Sequence, residues 1–243
     1  MDRPTLVAHR GYPMRFPENT LASIAAAIDA GASHIEIDIQ LSADRVPVLF
    51  HDRGMGRLCG QSGYIHKHTV EQLRRLKVFL DQADDDDPEP ISTLQEVSGY
   101  VGRHPQVHIF VELKRISIDH FGLHAVLDQV ARVLRPIEGQ CIIISSSPDI
   151  LIEARQQGWQ TGFILKHWQE RNQSIVKEVR PQYLFCDIDM LPESGSLEIN
   201  GMKLAIYDVT RPALAQELGH RGAHFVETFA IGEMLAAQAA AKG

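Results

Sequence analysis

Cysteine is scarce in this chain, and basic charge is outnumbered. Only Cys59, Cys141 and Cys186 occur among 243 residues; they are scattered, odd in number and form no CxxC pair. This excludes a disulfide framework and the common cysteine-rich zinc motifs, and it suits a reducing compartment. Lys and Arg total 24 against 31 Asp and Glu, a formal net charge of -7. General nucleic-acid binders carry a basic excess, which is missing here. No apolar run is long enough to cross a bilayer. The opening MDRPTLVAHRG has no long apolar stretch of the kind a secretory signal contains. The expectation is a cytoplasmic protein with no nucleic-acid partner and no stable membrane insertion. Oligomeric state is not encoded in any of these features.

What is present is an ordinary globular composition, 44% hydrophobic and 23% charged, with a sustained alternation of short apolar runs and helical patterns. Thr5 to Ala8 reads as a strand, ending at His9-Arg10-Gly11. A loop with Pro13 and Pro17 leads to Asn19 or Thr20 as helix cap, and Leu21, Ile24, Ala25 and Ile28 recur at helical spacing up to Gly31. His34 to Ile39 is a second strand, parallel to the first because a helix separates them. Ser42 to Arg45 is too short for a crossover, so Val46 to Phe50 must return antiparallel, as a hairpin arm that brings His51 roughly opposite Asp38.

Residues 53 to 92 read as a small insertion, with glycine-rich loops, a short helix around Val70, Leu73, Leu76 and Lys77, and an acidic run from Asp84 to Asp87 that suits a solvated loop. His66 and His68 lack the further local ligands that a zinc site needs. From Thr93 the alternation resumes. Strands are expected at Val107–Leu113, Cys141–Ile144, Thr161–Leu165, Tyr183–Cys186, Lys203–Tyr207 and Ala223–Val226. Helices include about Phe121 to Leu134, Ile150 to Gln157, Ser174 to Val179 and Gly232 to Ala241. Without the arm the strands number eight, each followed by a helix or helical insertion, and such units close into a (β/α)8 TIM barrel. The expected organisation is an α/β fold over residues 1–243 as a single barrel domain, with the insertion at about 53–92 following the hairpin arm.

In a barrel the chemistry gathers at the C-terminal strand ends. His9, Arg10, Glu36, Asp38, Glu112 and Lys114 all lie at such ends, on the first three barrel strands. Glu36 and Asp38 alternate along one strand and therefore share a face. Two carboxylates on one buried face repel, and a divalent cation or a shared proton is the usual remedy. With Glu112 they make an all-oxygen set, which favours Mg²⁺ or Ca²⁺ over zinc. Three carboxylates and one divalent ion leave about one negative charge. Arg10 and Lys114 offset it and leave room for one anionic group, such as a phosphodiester. His9 and His51 are then suited to general acid–base work near neutrality. The remaining histidines, His34, His104, His108, His120, His124, His167, His220 and His224, read as ordinary surface or core residues.

Five segments in this order, HRG at His9, PENT at Pro17, the ExD pair at Glu36, HD at His51 and ELK at Glu112, resemble the glycerophosphodiester phosphodiesterases. Ile91 to Val97 and Ser145 to Pro148 extend the likeness more faintly. The resemblance implies a TIM barrel, metal ligation by Glu36, Asp38 and Glu112, an acid–base pair in His9 and His51, and phosphate held by Arg10 and Lys114. It implies a small glycerophosphodiester as substrate, attacked by its own glycerol 2-hydroxyl, with a cyclic phosphate opened afterwards by water. The chain departs from the family pattern at Tyr207-Asp208-Val209-Thr210, at Glu227-Thr228-Phe229, and at Ser146 or Ser147, where an aromatic is expected. Those positions belong to the substrate rim, where Tyr207 offers an aromatic wall and Glu227 a hydroxyl acceptor. Two other readings compete: a lysophospholipase D-like activity on lysophospholipids, and a barrel that binds phosphate without turnover.

Overall fold

The computed structural model describes residues 3–80 and 88–241, so the acidic run Asp84 to Asp87 lies outside the described residues. In chain order the strands are β1 (Thr5–His9), β2 (His34–Leu41), β3 (Pro47–Leu49), β4 (Lys77–Val78), β5 (Glu89–Pro90), β6 (His108–Leu113), β7 (Cys141–Ser145), β8 (Gln160–Ile164), β9 (Tyr183–Asp187), β10 (Lys203–Tyr207) and β11 (Phe225–Thr228). The α-helices are α1 (Leu21–Asp29), α2 (Gly56–Cys59), α3 (Val70–Leu73), α4 (Leu94–Val101), α5 (Arg115–Phe121), α6 (Leu123–Leu134), α7 (Pro148–Gln156), α8 (Ser174–Val179), α9 (Pro212–Arg221) and α10 (Ile231–Ala240). Parallel pairing runs β1, β2, β6, β7, β8, β9, β10, β11 and back to β1, which closes an eight-stranded barrel with helices around it.

Period-two alternation sorts the barrel strands' side chains into two cores. From β2, Ile35, Ile37, Ile39 and Leu41 face the helices, as do Ile109, Val111 and Leu113 from β6 and Leu204 and Ile206 from β10. The opposite faces fill the interior, where Val7, Phe110, Ile142, Ile144, Phe185 and Ala205 pack together. The floor is made by residues at the strand starts: His34 stacks on His108 at 5.2 Å, and Lys203 Nζ lies 5.4 Å from the Tyr183 ring centroid. Apolar layers thus occupy the lower barrel, and the upper layer is left to acids and imidazoles.

The arm and the segment after it have a third apolar cluster of their own, built on Val48, Phe50, Met55, Leu58, Ile65 and Leu73. β3 pairs antiparallel with β2, in the register Ile39 to Leu49. The Phe50 amide donates to the Asp38 carbonyl at 3.0 Å, so Phe50 rather than His51 stands opposite Asp38. Lys77 belongs to the β4–β5 ribbon and not to the short helix.

Two further boundaries differ from the sequence pattern. The helix expected from about Phe121 is two helices, because Gly122 takes φ +83° between α5 and α6, a conformation that breaks a right-handed helix. β11 begins at Phe225 and reaches Thr228, which places Glu227 inside a barrel strand. Among the described residues no helix is long and apolar enough to cross a membrane.

Candidate active site

Strand register brings the candidate residues together. His9 pairs with Glu36 across β1 and β2, and Asp38 pairs with Glu112 across β2 and β6. All four point into the barrel mouth from the interior face. Arg10 and Lys114 are the residues that follow β1 and β6, and His51 follows the returning arm. The turn after His9 is tight: Arg10 and Gly11 both have positive φ, and the Tyr12 amide donates to the Ser23 hydroxyl at 2.6 Å. A Cβ on Gly11 would lie 2.4 Å from Ser23 Oγ, so only glycine lets α1 approach here.

The three acids differ in their partners. Asp38 accepts from Lys114 Nζ at 3.0 Å and from Asn19 Nδ2 at 2.8 Å, and Arg10 Nε lies 3.3 Å away. Asn19 also accepts the Asp38 amide at 3.0 Å, locking the strand to the loop before α1. Burial would raise the Asp38 pKa, but Lys114 and Arg10 override it and hold the carboxyl well below the usual range. Lys114 Nζ also reaches Glu112 Oε1 at 3.1 Å. Glu36 is 1% exposed, and neither carboxylate oxygen accepts a hydrogen bond. Burial, followed by repulsion from Asp38, Glu227 and Glu112, pushes Glu36 well above the ordinary carboxylate range. Burial likewise moves Glu112 up to about 7, with Lys114 opposing and Asp38 adding to the rise.

Carboxylate oxygens of Glu36, Asp38 and Glu112 lie within 4.8 Å of one another. A buried carboxylate with two free oxygens beside two further carboxylates is a fitting donor set for a hard divalent cation. A second acidic group, Glu18 with His51 and Asp52, has similar spacing. Its oxygens are already taken: Arg57 bonds Glu18 and Asp52, and Arg10 bonds Glu18 at 3.0 Å. That group is an ion-pair lattice rather than an open donor set.

Each imidazole is held by a carboxylate on Nδ1. His9 Nδ1 meets Asp208 Oδ1, its Nε2 lies 3.5 Å from Glu36, and its ring stacks on Phe229 at 4.8 Å. His51 Nδ1 lies 2.9 Å from Asp52 Oδ1. Burial, with Lys114 and Arg10 nearby, pulls His51 below the usual histidine pKa against the pull of Asp38 and Asp52. Its Nε2 is free of that contact.

His9, Arg10, Glu36, His51, Glu112 and Lys114 surround one cavity of about 340 Å³, and Tyr207 and Glu227 line the same space. Glu227 is buried, with Oε1 unpartnered; burial and the carboxylates of Asp208, Glu112 and Asp38 push its pKa well up. The residues singled out from sequence thus lie together at one end of the barrel, although Asp38 is fully buried behind Lys114 and Arg10 and is not part of the cavity lining. Sequence reasoning missed Asn19, Glu18, Arg57 and Asp208 as structural partners of the site. The PENT and HD segments contained Glu18, Asn19 and Asp52, so those were findable. Asp208 stood out only as part of a departure from the family pattern; nothing local marked it as a partner of His9, 199 positions earlier.

The profile of the glycerophosphoryl diester phosphodiesterase family matches residues 9–242. Glycerophosphodiester phosphodiesterase 1 of Bos taurus is 31% identical over 171 residues, covering 69% of this chain and 50% of that protein. An uncharacterised Mycobacterium tuberculosis protein, Rv2277c, is 32% identical over 170 residues, covering 65% of this chain and 54% of its own length. The chain thus spans about half the length of these curated relatives. Among solved structures, a Silicibacter pomeroyi protein assigned to the glycerophosphoryl diester phosphodiesterases by its name alone superposes with a TM-score of 0.83 at 20% identity, covering 96% of this chain and 92% of the other. An Oleispira antarctica phosphodiesterase in complex with the product sn-glycerol-3-phosphate gives 0.80 at 23% identity, with 97% of each chain covered.

Proposed function

Because this chain belongs to the glycerophosphoryl diester phosphodiesterase family, we propose that it hydrolyses glycerophosphodiesters to sn-glycerol 3-phosphate and an alcohol. The observation that carries the reading is the open acid cluster between two carboxylate-held imidazoles. Glu36, Asp38 and Glu112 would hold one divalent cation, Mg²⁺ or Ca²⁺. When bound, such an ion polarises a phosphoryl oxygen and offsets the charge that grows on it.

The chain's own groups do the rest. Arg10 and Lys114 stand beside the acids and orient the phosphate, although both also neutralise Asp38. The glycerol 2-hydroxyl attacks phosphorus as one imidazole takes its proton. The bond from phosphorus to the alcohol breaks as the other imidazole gives its proton to the leaving oxygen. Water then opens the cyclic phosphate with the two roles exchanged. Asp208 and Asp52 fix which nitrogen of His9 and His51 faces the substrate. Tyr207 and Glu227 bound the glycerol end, where Glu227 accepts from a hydroxyl. Intramolecular attack supplies proximity that a captured water would otherwise have to provide.

Residues 53 to 92 are read as an insertion within one catalytic domain. The three buried thiols fit a reducing, cytoplasmic setting. The test of the reading is turnover of glycerophosphoethanolamine and glycerophosphocholine with and without EDTA. Release of glycerol 3-phosphate that stops with EDTA and returns with Mg²⁺ or Ca²⁺ is expected. Release indifferent to EDTA contradicts the metal role, and lysophosphatidylcholine as the sole substrate turned over would favour the lysophospholipase D-like reading.

A further inference from the structure

Beside the catalytic cavity lies a larger one of about 620 Å³. The two share His51, Glu112, Lys114 and Ser146, so they adjoin directly. Ser146, the smallest of the four, stands at their junction with His51, Glu112 and Lys114. The catalytic cavity already has room for a phosphate and a glycerol. The larger one is therefore free for the alcohol half of the diester, the part in which glycerophosphodiesters differ.

The wall of this second cavity has a definite charge. Arg53, Lys67, Arg115 and Asp119 line it together with Tyr64, His66 and His120. Lys114 and Glu112 pair with each other at 3.1 Å and cancel. Arg115 has Asp119 at 3.6 Å. Arg53 and Lys67 have no acidic partner among the described residues, whereas the other two cations of this wall, Lys114 and Arg115, do. In the same wall is a row of aromatic rings: Tyr64 stacks on His66 at 5.4 Å, and His120 lies tilted against His66 at 4.2 Å. Burial, then His120, Lys67 and Arg53, hold His66 below its usual pKa, so this wall already resists a further positive charge. An aromatic stack alone would suit a quaternary ammonium by cation–π attraction. Flanked by two unpaired cations, it repels one and favours an anion instead.

We propose that this cavity is the leaving-group subsite and selects glycerophosphodiesters whose alcohol carries an additional anionic group, with Arg53 and Lys67 as the specificity-determining residues. The proposal rests on the hydrolase reading above. It assigns a role to the segment after the hairpin arm, which supplies four of the lining side chains, Arg53, Tyr64, His66 and Lys67.

The test compares kcat/KM on three probes with different head-group charge: glycerophosphoinositol 4-phosphate, glycerophosphoinositol and glycerophosphocholine. The intact protein should prefer the phosphorylated head group to the choline one by about tenfold or more at low salt, and the preference should shrink as salt screens the wall. In the R53A/K67A double variant the ratio should fall about tenfold, at a few-fold per exposed charge, and R53K/K67R should restore it. A purely structural role for these residues would lower all three rates together and leave the ratio unchanged, which overturns the proposal. So does equal turnover of the three probes, or a preference for choline, by the intact protein; either result leaves the hydrolase reading standing. No turnover of any probe with divalent cation present sinks the hydrolase reading and this subsite together.

Discussion

His9 and His51 share one arrangement: the Nδ1 of each meets a carboxylate, Asp208 or Asp52. Under the proposed mechanism, replacing either by alanine removes a proton-transfer group from one side of the phosphorus. Each single variant should lower kcat by roughly 10²–10⁴, measured as release of glycerol 3-phosphate; near-normal turnover in either removes that residue from the mechanism. His34 is a different histidine, on the barrel floor. Burial, with the charges of His108 and Lys203, brings its pKa from 6.5 to about 4. Between those values the unfolded chain binds the extra proton, so stability rises with pH through this window and is lost on acidification. After allowance for partial solvent screening the effect is roughly 1–2 kcal/mol. Urea midpoints at pH 7.5 and 5.0 should draw closer in a His34→Gln variant; an unchanged gap contradicts the assignment. Residue types and spacing singled out His9, His51 and the three acids, and the strand register brings them to one end of the barrel. Spacing could not find Asp208, because only barrel closure brings the end of β10 against the end of β1.

At the level of elements, the site depends on how tightly β1 turns into the loop before α1. Gly11 is held at φ +90° against Ser23. A Gly11→Ala substitution meets both a conformational penalty and a steric one, and should cost about 1–3 kcal/mol by chemical denaturation. It should also depress turnover, because Arg10 and Asn19 flank that loop and both bind Asp38. A variant as stable and as active as the parent would show that the turn does not matter. Element type was legible wherever an apolar stripe ran unbroken: α8 and β10 have the bounds that their patterns suggest. It failed where backbone geometry decides. The apolar pattern continues from Phe121 through Leu123, yet one positive φ at Gly122 divides the helix. β2 also runs to Leu41, two residues past the expected end, because the antiparallel arm supplies ladder partners there.

For the whole molecule, the upper barrel is a place where folding concentrates like charge. Glu36, Glu112 and Glu227 all sit above the ordinary carboxylate pKa because they are buried beside one another. A divalent cation that binds only the folded state relieves this repulsion and stabilises the fold by mass action. At a hundredfold excess over its dissociation constant the gain is about 2.7 kcal/mol, enough to raise Tm by several degrees in a chain of this size. Mg²⁺ or Ca²⁺ should therefore raise Tm in the parent and have little effect in Glu36→Gln, as read by calorimetry. An equal shift in both would place the binding elsewhere. Barrel closure itself was readable from the repeated strand–helix pattern. The charge of the neighbouring basin was not, since Arg53, Lys67 and Arg115 are separated in sequence and become one wall only when the segment after the arm packs beside α5.

In the proposed site, Glu36, Asp38 and Glu112 grip one hard cation. The direct measurement is anomalous diffraction from crystals soaked in Mn²⁺, a scattering stand-in for Mg²⁺. The predicted result is a single strong peak about 2.0–2.5 Å from oxygens of all three carboxylates, at the floor of the cavity between His9 and His51. A peak at Glu18 and Asp52 instead, or none at saturating Mn²⁺, would contradict it.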